Sequence, residues 1–378
     1  MENATFFPAK MLGSLASNAT RNDENLTTFF TDEEWLAINS TLPWVVGFFF
    51  GAIAITGFFG NLLVILVVVF NKSMRSTTNL MIVNLAVADL LFVILCIPFT
   101  ATDYMVPYWP YGRFWCHSVQ YLIVVTAFAS IYTLVLMSID RFLAVVHPIR
   151  SRMMRTENIT LIAIVTLWIV VLVVSVPVAL NHDVVEAIDE KKNITYGLCT
   201  YSPNEFLSSR TYHVTFFVSS YLMPLMVISG LYMRMIMRLW RQGTGVRMSK
   251  ESQRGRKRVT RLVVVVVIAF ASLWLPVQLI LLLKALDVIE MNSLNKLIIQ
   301  VSAQTLAYSS SCINPLLYAF LSENFRKAFY KSFYSKRLGM MTVTHQDAIN
   351  CSSRYQNYTS DLPPPRKTSC ARTSTTGL

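Results

Sequence analysis

The chain has 378 residues, of which 54% are hydrophobic and only 14% are charged. Soluble proteins carry about 25% charged residues, so this composition excludes an ordinary soluble chain of two or three domains. The formal net charge of +12 would suggest nucleic-acid binding in a soluble protein. Here the charges are confined to stretches between long apolar runs, which is typical of a membrane protein.

Charged residues are missing from seven long stretches of the sequence. Each stretch reaches the roughly 20 residues that a helix needs to cross a bilayer. The runs are continuously apolar, which excludes the alternating pattern of a barrel. We therefore predict an all-α membrane protein, a seven-transmembrane helix bundle over 44–322. The stretches are 35–71, 76–102 with Asp89 as the one interruption, 114–139, 158–182, 211–233, 262–283 and 297–322.

The segments between these stretches predict an orientation. Basic residues, Arg155 among them, follow the first, third, fifth and seventh stretch, whereas segment 1–43 is acidic in balance. By the positive-inside rule the N-terminus is extracellular and the C-terminus is cytoplasmic. The basic surface then faces membrane lipid and an internal partner rather than nucleic acid.

Each predicted side of the membrane has its own sequence features. Cys116 and Cys199 fall on the outer side, where disulfides persist, and we predict that they pair. N-x-S/T triplets on that side predict glycosylation of the segment 1–43 and of one outer loop. Beyond the seventh stretch, 323–337 predicts an amphipathic helix on the cytoplasmic membrane surface, and 338–378 predicts a disordered cytoplasmic tail. The outer triplets begin at Asn3, Asn18, Asn25, Asn39 and Asn193.

Several apolar stretches contain or end in conspicuous polar residues. The first contains Asn61, and the second contains Asp89, the only acidic residue deep inside any of them, with Pro98 nearer its end. The third ends in the adjacent Asp140 and Arg141. A lone carboxylate in a low-dielectric interior is costly, so Asp89 must pair, bind a cation or take up a proton.

One residue set per stretch, in a fixed order, resembles the rhodopsin-like G-protein-coupled receptors over about 44–337. Longer stretches are similar to the galanin and allatostatin-A receptor group, and Thr102-Asp-Tyr-Met-Val-Pro-Tyr-Trp-Pro-Tyr-Gly looks more like its arthropod allatostatin-A branch. The residue set comprises Asn61, Asp89, Asp140-Arg141, Trp168, Pro224, Trp274-x-Pro276 and Asn314-Pro315-x-x-Tyr318. The longer stretches include Arg75-Ser-Thr-Thr-Asn-Leu, Cys96-Ile-Pro-Phe-Thr-Ala-Thr-Asp-Tyr and Ala307-Tyr-Ser-Ser-Ser-Cys-Ile-Asn-Pro.

The resemblance implies a polar core around Asp89 that holds a sodium ion in the resting state. Asn61, Ser130, Ser310 and Asn314 would supply oxygens and hydrogen-bond donors from other helices. The alternative is a structural network of hydrogen bonds around a protonated Asp89. No other metal and no organic cofactor is expected.

The resemblance also assigns residues to G-protein coupling and to an activation switch. Arg141 is expected to rest on Asp140 and to engage the G protein when the sixth helix moves outward. The coupling set is Asp140, Arg141, Tyr232 and Tyr318. The switch set is Trp274, Phe270, Ile131, Pro224, Pro276 and Pro315. Taken alone, aromatic residues in a span are more often simple core packing.

Two positions depart from the pattern of the resembling receptors. Phe142 replaces the usual Tyr after the Asp–Arg pair and loses its hydroxyl. Where some relatives carry an acid at the base of the sixth helix, this chain has Arg256, so an ionic lock to Arg141 is not available. We therefore expect a weaker restraint on activation and some basal activity.

Two missing side chains exclude two classes of ligand, the amines and retinal. Ile123 stands where amine receptors of the family carry Asp, and 297–322 has no Lys to bind retinal. A long acidic outer loop and polar residues in the helices suit a peptide, although any single Gln could instead bond helix to helix. The resemblance implies a short amidated neuropeptide ending in Phe-Gly-Leu-amide, with a galanin-like peptide as the alternative. The candidate contacts are Gln120, Ile123, Gln278, Lys284, Gln300 and Gln304.

These features predict a plasma-membrane receptor for a heterotrimeric G protein, and two other classes of protein would show different patterns. A transporter would show internal repeats and polar residues near the midplane, and an enzyme would show a nucleophile or metal motif. Neither pattern is found, so we predict that the chain is not an enzyme. The galanin-like resemblance implies inhibitory coupling. Ser and Thr residues in the tail could be phosphorylated by a receptor kinase to recruit arrestin, and Thr376–Leu378 fits a PDZ ligand.

Overall fold

A computed structural model describes the protein at residues 40–71, 74, 76–106, 108–149, 151–189, 194–202, 208–241, 250–289 and 293–321. The predicted glycosylation sites, the amphipathic helix 323–337 and the tail 338–378 lie outside these described residues. So do Arg256 and Tyr318 as far as their side chains are concerned.

Within the described ranges the chain folds into seven long helical segments, which we number from first to seventh. Four are single helices, and the second, fourth and fifth contain a break. The first is α1 (Leu42–Phe70), and the second is α2 (Thr77–Leu95) with α3 (Ile97–Met105). The third is α4 (Gly112–Val146), followed by the short α5 (Ser151–Met154). The fourth is α6 (Glu157–Val174) with α7 (Val176–Leu180).

The remaining three segments complete the bundle. The fifth is α8 (Ser209–Phe217), a π-helical turn (Val218–Leu222) and α9 (Met223–Arg241). The sixth is α10 (Lys250–Ala285), and the seventh is α11 (Leu294–Leu321). The seventh packs between the first and the sixth. The last segment thus contacts the first, and the bundle is closed.

Six of these segments are long and apolar enough to cross a membrane. The seventh segment has 28 residues, or roughly 42 Å of helix, which is sufficient length. It is not among the six because Gln300, Gln304 and Asn314, together with three consecutive serines, make it more polar. The described residues therefore show a multi-pass membrane protein. We assign the seventh helix as a further span because of its length and because it packs between the first and sixth segments.

The breaks in the second and fourth segments follow from proline. Pro98 and Pro177 have no N–H to donate to the carbonyl four residues earlier. The second segment is interrupted at Cys96, whose N–H still donates to the Phe92 carbonyl at 2.9 Å before a new helix starts at Ile97. The second segment thus has a short interruption just before Pro98.

A β-hairpin covers one end of the bundle. Strands β1 (His182–Asp189) and β2 (Ile194–Tyr201) pair antiparallel, with Val184 opposite Cys199. The predicted disulfide is confirmed: Cys199 is bonded to Cys116 near the start of the third segment. We call this end of the bundle the disulfide end. Arg141 lies 25 residues further along the same helix, about 37 Å away, at what we call the Arg141 end.

The hairpin lies in the segment that the sequence predicts to be a long acidic outer loop. Its two strands are runs of eight residues rich in β-branched and aromatic side chains, separated by 190–193. That pattern is a recognised hairpin signal. It was obscured because the surrounding chain is dominated by helical spans.

Candidate functional site

The carboxylate of Asp89 lies in the middle of the bundle, where the second, third and seventh segments meet. Asp89 is 3% exposed. Ser130 Oγ donates to its Oδ1 at 3.2 Å and Asn314 Nδ2 donates to its Oδ2 at 2.8 Å. Both donors are neutral, and none of the described ion pairs includes Asp89. These hydrogen bonds take the place of water around the carboxylate, but no described side chain balances its negative charge.

A small cavity adjoins this carboxylate. Its volume is about 20 Å³, slightly more than the smallest space that holds one water molecule. Trp274 closes it from the sixth segment and donates from Nε1 to Ser310 Oγ at 3.0 Å. Phe270, one turn earlier, stacks on Trp274 with ring centroids 5.5 Å apart. The lining residues include Asp89, Ser130, Phe270, Trp274, Ser310 and Asn314.

The chemistry of this cavity suits a monovalent hard cation. Carboxylate, hydroxyl and amide oxygens are the ligands that such ions prefer, and Asp89, Ser130, Ser310 and Asn314 all line the space. A single carboxylate balances a single positive charge. No cluster of three or more His, Cys, Asp or Glu side chains is found among the described residues.

Asn61 supports the polar core from the side. It is completely buried in the first segment, and its Nδ2 donates to the Gly57 carbonyl at 2.9 Å and to the Ser311 carbonyl at 2.8 Å. These bonds join the first segment to the seventh. Asn61 is therefore placed beside the Asp89 site as a helix–helix contact, not as a direct donor to Asp89.

A second buried carboxylate, Asp140, organises the Arg141 end. It accepts hydrogen bonds from Thr78 Oγ1 at 3.2 Å and from Thr77 Oγ1 at 3.5 Å. Arg141 donates from Nη2 to Asp140 and to Thr78. Arg155 donates from Nε at 2.6 Å and from Nη2 at 3.1 Å. The resting contact between Arg141 and Asp140 is present in this structure, together with a partner that the sequence analysis did not assign.

Two buried polar atoms near this cluster have no hydrogen-bond partner within the described part of the chain. They are Arg141 Nε and the hydroxyl of Tyr232 in the fifth segment. Arg141 and Tyr232 are close enough to interact electrostatically. Phe142 lies outside the cluster, with its ring 6.0 Å from that of His147. The arrangement leaves hydrogen-bonding capacity available to Arg141 on the side of Tyr232.

The switch residues belong to the third, fifth, sixth and seventh segments. Ile131, next to Ser130, is 1% exposed. Pro224 follows the π-helical turn of the fifth segment, and Pro276 and Pro315 lie inside the sixth and seventh helices. Each proline removes one backbone hydrogen bond and permits bending at that point.

The π-helical turn shows how the lost bond in the fifth segment is replaced. In a π turn the Ser219 carbonyl would accept from residue 224, but Pro224 has no N–H. Tyr132 of the third segment donates its hydroxyl to Ser219 O at 2.9 Å instead. Tyr221 OH donates to Ala271 O of the sixth segment at 2.8 Å. The turn thereby connects the fifth segment to both neighbours.

Comparison with known proteins agrees with this arrangement. The family model described as 7 transmembrane receptor (rhodopsin family) matches residues 60–318. The chain belongs to this family. Its members are G-protein-coupled signalling receptors and not enzymes, which favours the receptor over the transporter alternative.

Individual relatives cover most of the receptor. The allatostatin-A receptor of Bombyx mori is 53% identical over 310 residues, which are 82% of this chain and 84% of the relative. Galanin receptor type 1 of Homo sapiens is 37% identical over 286 residues, 75% of this chain and 80% of the relative. A galanin-like G-protein coupled receptor of Caenorhabditis elegans is 32% identical over 342 residues, 83% of this chain and 78% of the relative.

The candidate ligand contacts of the receptor occupy different environments. Gln278 is 1% exposed and donates to Ser220 Oγ at 3.0 Å, which is the helix–helix bond left open as its alternative role. Gln304 donates to Tyr308 OH at 2.6 Å within the seventh helix. Gln120 lies 4.0 Å from the disulfide sulfur of Cys199. Ile123 packs against the core clusters, Lys284 is half-buried and Gln300 is buried.

An aromatic cluster at the disulfide end was not identified from the sequence. Tyr201 of the hairpin stacks on Tyr212 of the fifth segment with centroids 5.0 Å apart, and His182 lies edge-on to Tyr201 at 5.5 Å. Burial in this cluster raises the pKa of the Tyr201 phenol above its usual value. Tyr212 also stacks on Phe216 at 6.4 Å. These contacts fix the hairpin against the fifth segment and so shape the disulfide end of the receptor.

Proposed function

We propose that this receptor binds a short amidated neuropeptide of the allatostatin-A type, ending in Phe-Gly-Leu-amide, and activates an inhibitory heterotrimeric G protein. The observation that supports it most strongly is the 53% identity to the allatostatin-A receptor of Bombyx mori over most of both chains. The 37% identity to human galanin receptor type 1 makes a galanin-like peptide the alternative ligand. The receptor would lie in the plasma membrane with its disulfide end outside.

Activation in this proposal is a shift between two arrangements of the helices. In the resting arrangement Arg141 is held by Asp140 and Thr78. The peptide binds more tightly to an arrangement in which the sixth segment moves outward at the Arg141 end, and the G protein favours the same arrangement. Binding at either end then increases affinity at the other. Arg141 Nε and the Tyr232 hydroxyl have no described hydrogen-bond partner in the resting arrangement. Once the guanidinium is released, the Tyr232 hydroxyl is available to bond it.

We also propose that sodium binds beside Asp89 in the resting receptor. Its ligands would come from Asp89, Ser130, Ser310 and Asn314. The ion would balance the buried carboxylate charge, which no described side chain balances. Trp274 lines this cavity and bonds Ser310, so a change in its position would alter the sodium site.

The ligand is tested by calcium release in cells that express the receptor with a promiscuous G protein. Peptides ending in Phe-Gly-Leu-amide are compared with the same peptides as free acids and, separately, with galanin. A response to the amidated peptides alone supports the proposal. A response to galanin would instead support the alternative, a galanin-like peptide. The absence of any response despite surface expression would contradict the proposed ligand.

Coupling and orientation need separate measurements. Agonist should lower cyclic AMP in cells with their own G proteins, and pertussis toxin should abolish the effect if coupling is inhibitory. An epitope at the N-terminus should be accessible in intact cells.

The signal without peptide should exceed that of untransfected cells, because Arg256 cannot form an ionic lock with Arg141. Equal signals would contradict the expected basal activity.

Receptor kinase, arrestin and a PDZ protein are proposed as cytoplasmic partners. Replacing the tail Ser and Thr residues by Ala should reduce agonist-dependent arrestin recruitment without changing the G-protein response. Deleting Thr376–Leu378 tests PDZ binding alone.

A further inference from the structure

The carboxylate of Asp140 is shared by two arginines from different parts of the receptor. Arg141 is its neighbour in the third segment. Arg155 comes from the connection to the fourth segment, just beyond α5, and donates to both carboxylate oxygens at 2.6 and 3.1 Å. The cluster therefore contains two positive charges and one negative charge.

Burial distinguishes this cluster from an ordinary surface ion pair. The side chains of Asp140, Arg141 and Arg155 are 4%, 10% and 27% exposed. A guanidinium that bonds both oxygens of a carboxylate forms one of the stronger ion pairs in proteins. Leaving a buried carboxylate without a cation is correspondingly costly. Removing either arginine therefore changes how firmly the other is held.

The short helix α5 positions Arg155. Ser151, at its start, is 3% exposed, and its N–H donates to the His147 carbonyl at the end of the third segment at 2.9 Å. The Arg155 N–H donates in turn to the Ser151 carbonyl at 2.9 Å. These backbone bonds connect Arg155 to the third segment, so its approach to Asp140 is built into the fold of the connection.

We propose that Arg155 is a positioning residue for G-protein coupling: it neutralises Asp140 when Arg141 leaves and so facilitates release of Arg141. The inference rests on the proposed function, in which release of Arg141 accompanies activation. Before release, Arg155 competes with Arg141 for the same carboxylate and weakens its hold. After release, Arg155 prevents Asp140 from becoming an unpaired buried charge. Both effects favour the active arrangement.

The first test is nucleotide exchange on the G protein in membranes, without peptide and over a peptide titration, normalised to surface expression. Arg155→Ala should lower ligand-independent exchange at least about threefold, or raise the half-maximal peptide concentration by a similar factor. Arg155→Lys keeps the charge but loses the two-point geometry, and should fall in between. Arg152→Ala removes a positive charge from α5 itself and controls for the general loss of basic charge.

The Asp140→Asn background separates charge sharing from a general structural role. There the carboxylate is gone, so Arg155→Ala should produce no further fall in exchange. Higher exchange in Arg155→Ala than in the unchanged receptor would overturn the proposal, because Arg155 would then restrain activation. An equal fall in Arg152→Ala, or an undiminished fall in the Asp140→Asn background, would also overturn it.

Thermal unfolding of the detergent-solubilised receptor provides a reading that does not depend on coupling. Arg155→Ala should lower the unfolding midpoint more in the unchanged receptor than in the Asp140→Asn background. Additive shifts would overturn the shared charge. If the unchanged receptor shows neither basal nor peptide-stimulated exchange, the proposed function fails and the coupling role of Arg155 fails with it, whereas non-additive unfolding would still establish the shared carboxylate.

Discussion

Asp89 and Asp140 are both buried in the helical bundle, but the described groups that surround them differ in charge. Asp140 at the Arg141 end is bonded by two guanidinium groups and two threonines. Asp89 in the middle of the bundle accepts hydrogen bonds from neutral Ser130 and Asn314 and faces a small cavity. The charge of Asp140 is balanced within the fold, whereas that of Asp89 requires a cation or a proton from outside. A buried acid without an internal cation is thus a candidate binding site, and one with internal cations is a candidate conformational contact.

The same substitution should have opposite effects at the two carboxylates in sodium-free buffer. Asp140→Asn leaves two arginines without their anion and should lower the free energy of unfolding by about 3–5 kcal/mol. Asp89→Asn removes an unbalanced buried charge and should leave stability unchanged or raise it by about 1 kcal/mol. Thermal unfolding of the solubilised receptor in choline chloride measures both. Shifts of equal sign and size would contradict the distinction.

The partly buried carbonyl of Ser219 is an uncharged acceptor whose loss of a partner can be compared with the effects at the two carboxylates. Tyr132→Phe removes the hydroxyl that bonds the Ser219 carbonyl, for which Pro224 supplies no N–H. An unsatisfied carbonyl in an apolar interior should lower the free energy of unfolding by about 1–3 kcal/mol. Ser219→Ala is the matched control, because the Ser219 hydroxyl bonds its own helix at Thr215 O and the carbonyl is retained. Equal losses in the two variants would refute this account.

Sodium should stabilise only the receptor that retains Asp89. At ten times its Kd, a ligand of the folded state adds about 1.4 kcal/mol to the free energy of unfolding. Replacing choline by sodium should therefore raise the unfolding midpoint of the unchanged receptor and not that of Asp89→Asn. Asp140→Asn should keep the sodium response. A response that survives Asp89→Asn would place the ion elsewhere.

The smallest expected effect concerns the contact between the first and seventh segments beside Asp89. A Cβ at Gly60 would lie 3.0 Å from Pro315 Cβ, whereas one at Gly51 would meet nothing within 4 Å. Gly60→Ala should therefore destabilise by about 1 kcal/mol, and Gly51→Ala should be neutral or stabilise by up to about 1 kcal/mol. Unfolding midpoints compare the two. We expect Gly60→Ala to reduce the sodium response as well, since Asn61 and Asn314 adjoin this contact.

The placement of charges along the chain was enough to predict the class of protein and most of its architecture. Within lipid, the backbone N–H and C=O groups of a long uncharged stretch can all be hydrogen-bonded inside the stretch only if it forms a helix. Six of the seven stretches appear as helices that are apolar enough to span a membrane. The paired cysteines were also predictable, because the charge asymmetry placed both on one side. Asp89, Asp140 and Arg141 could be singled out because a buried charge has few explanations.

The partners of these charges depend on how the helices and their connections pack together, which the sequence does not show. Arg155 was one basic residue among several in the sequence, and its contact with Asp140 depends on α5 turning the chain back toward the third segment. Asn61 was expected at Asp89 but bonds Ser311 O instead, because helix rotation sets which carbonyl an amide meets. The hairpin and the π-helical turn depend likewise on contacts between distant residues. Composition determines which segments leave water, whereas packing determines which polar groups meet inside.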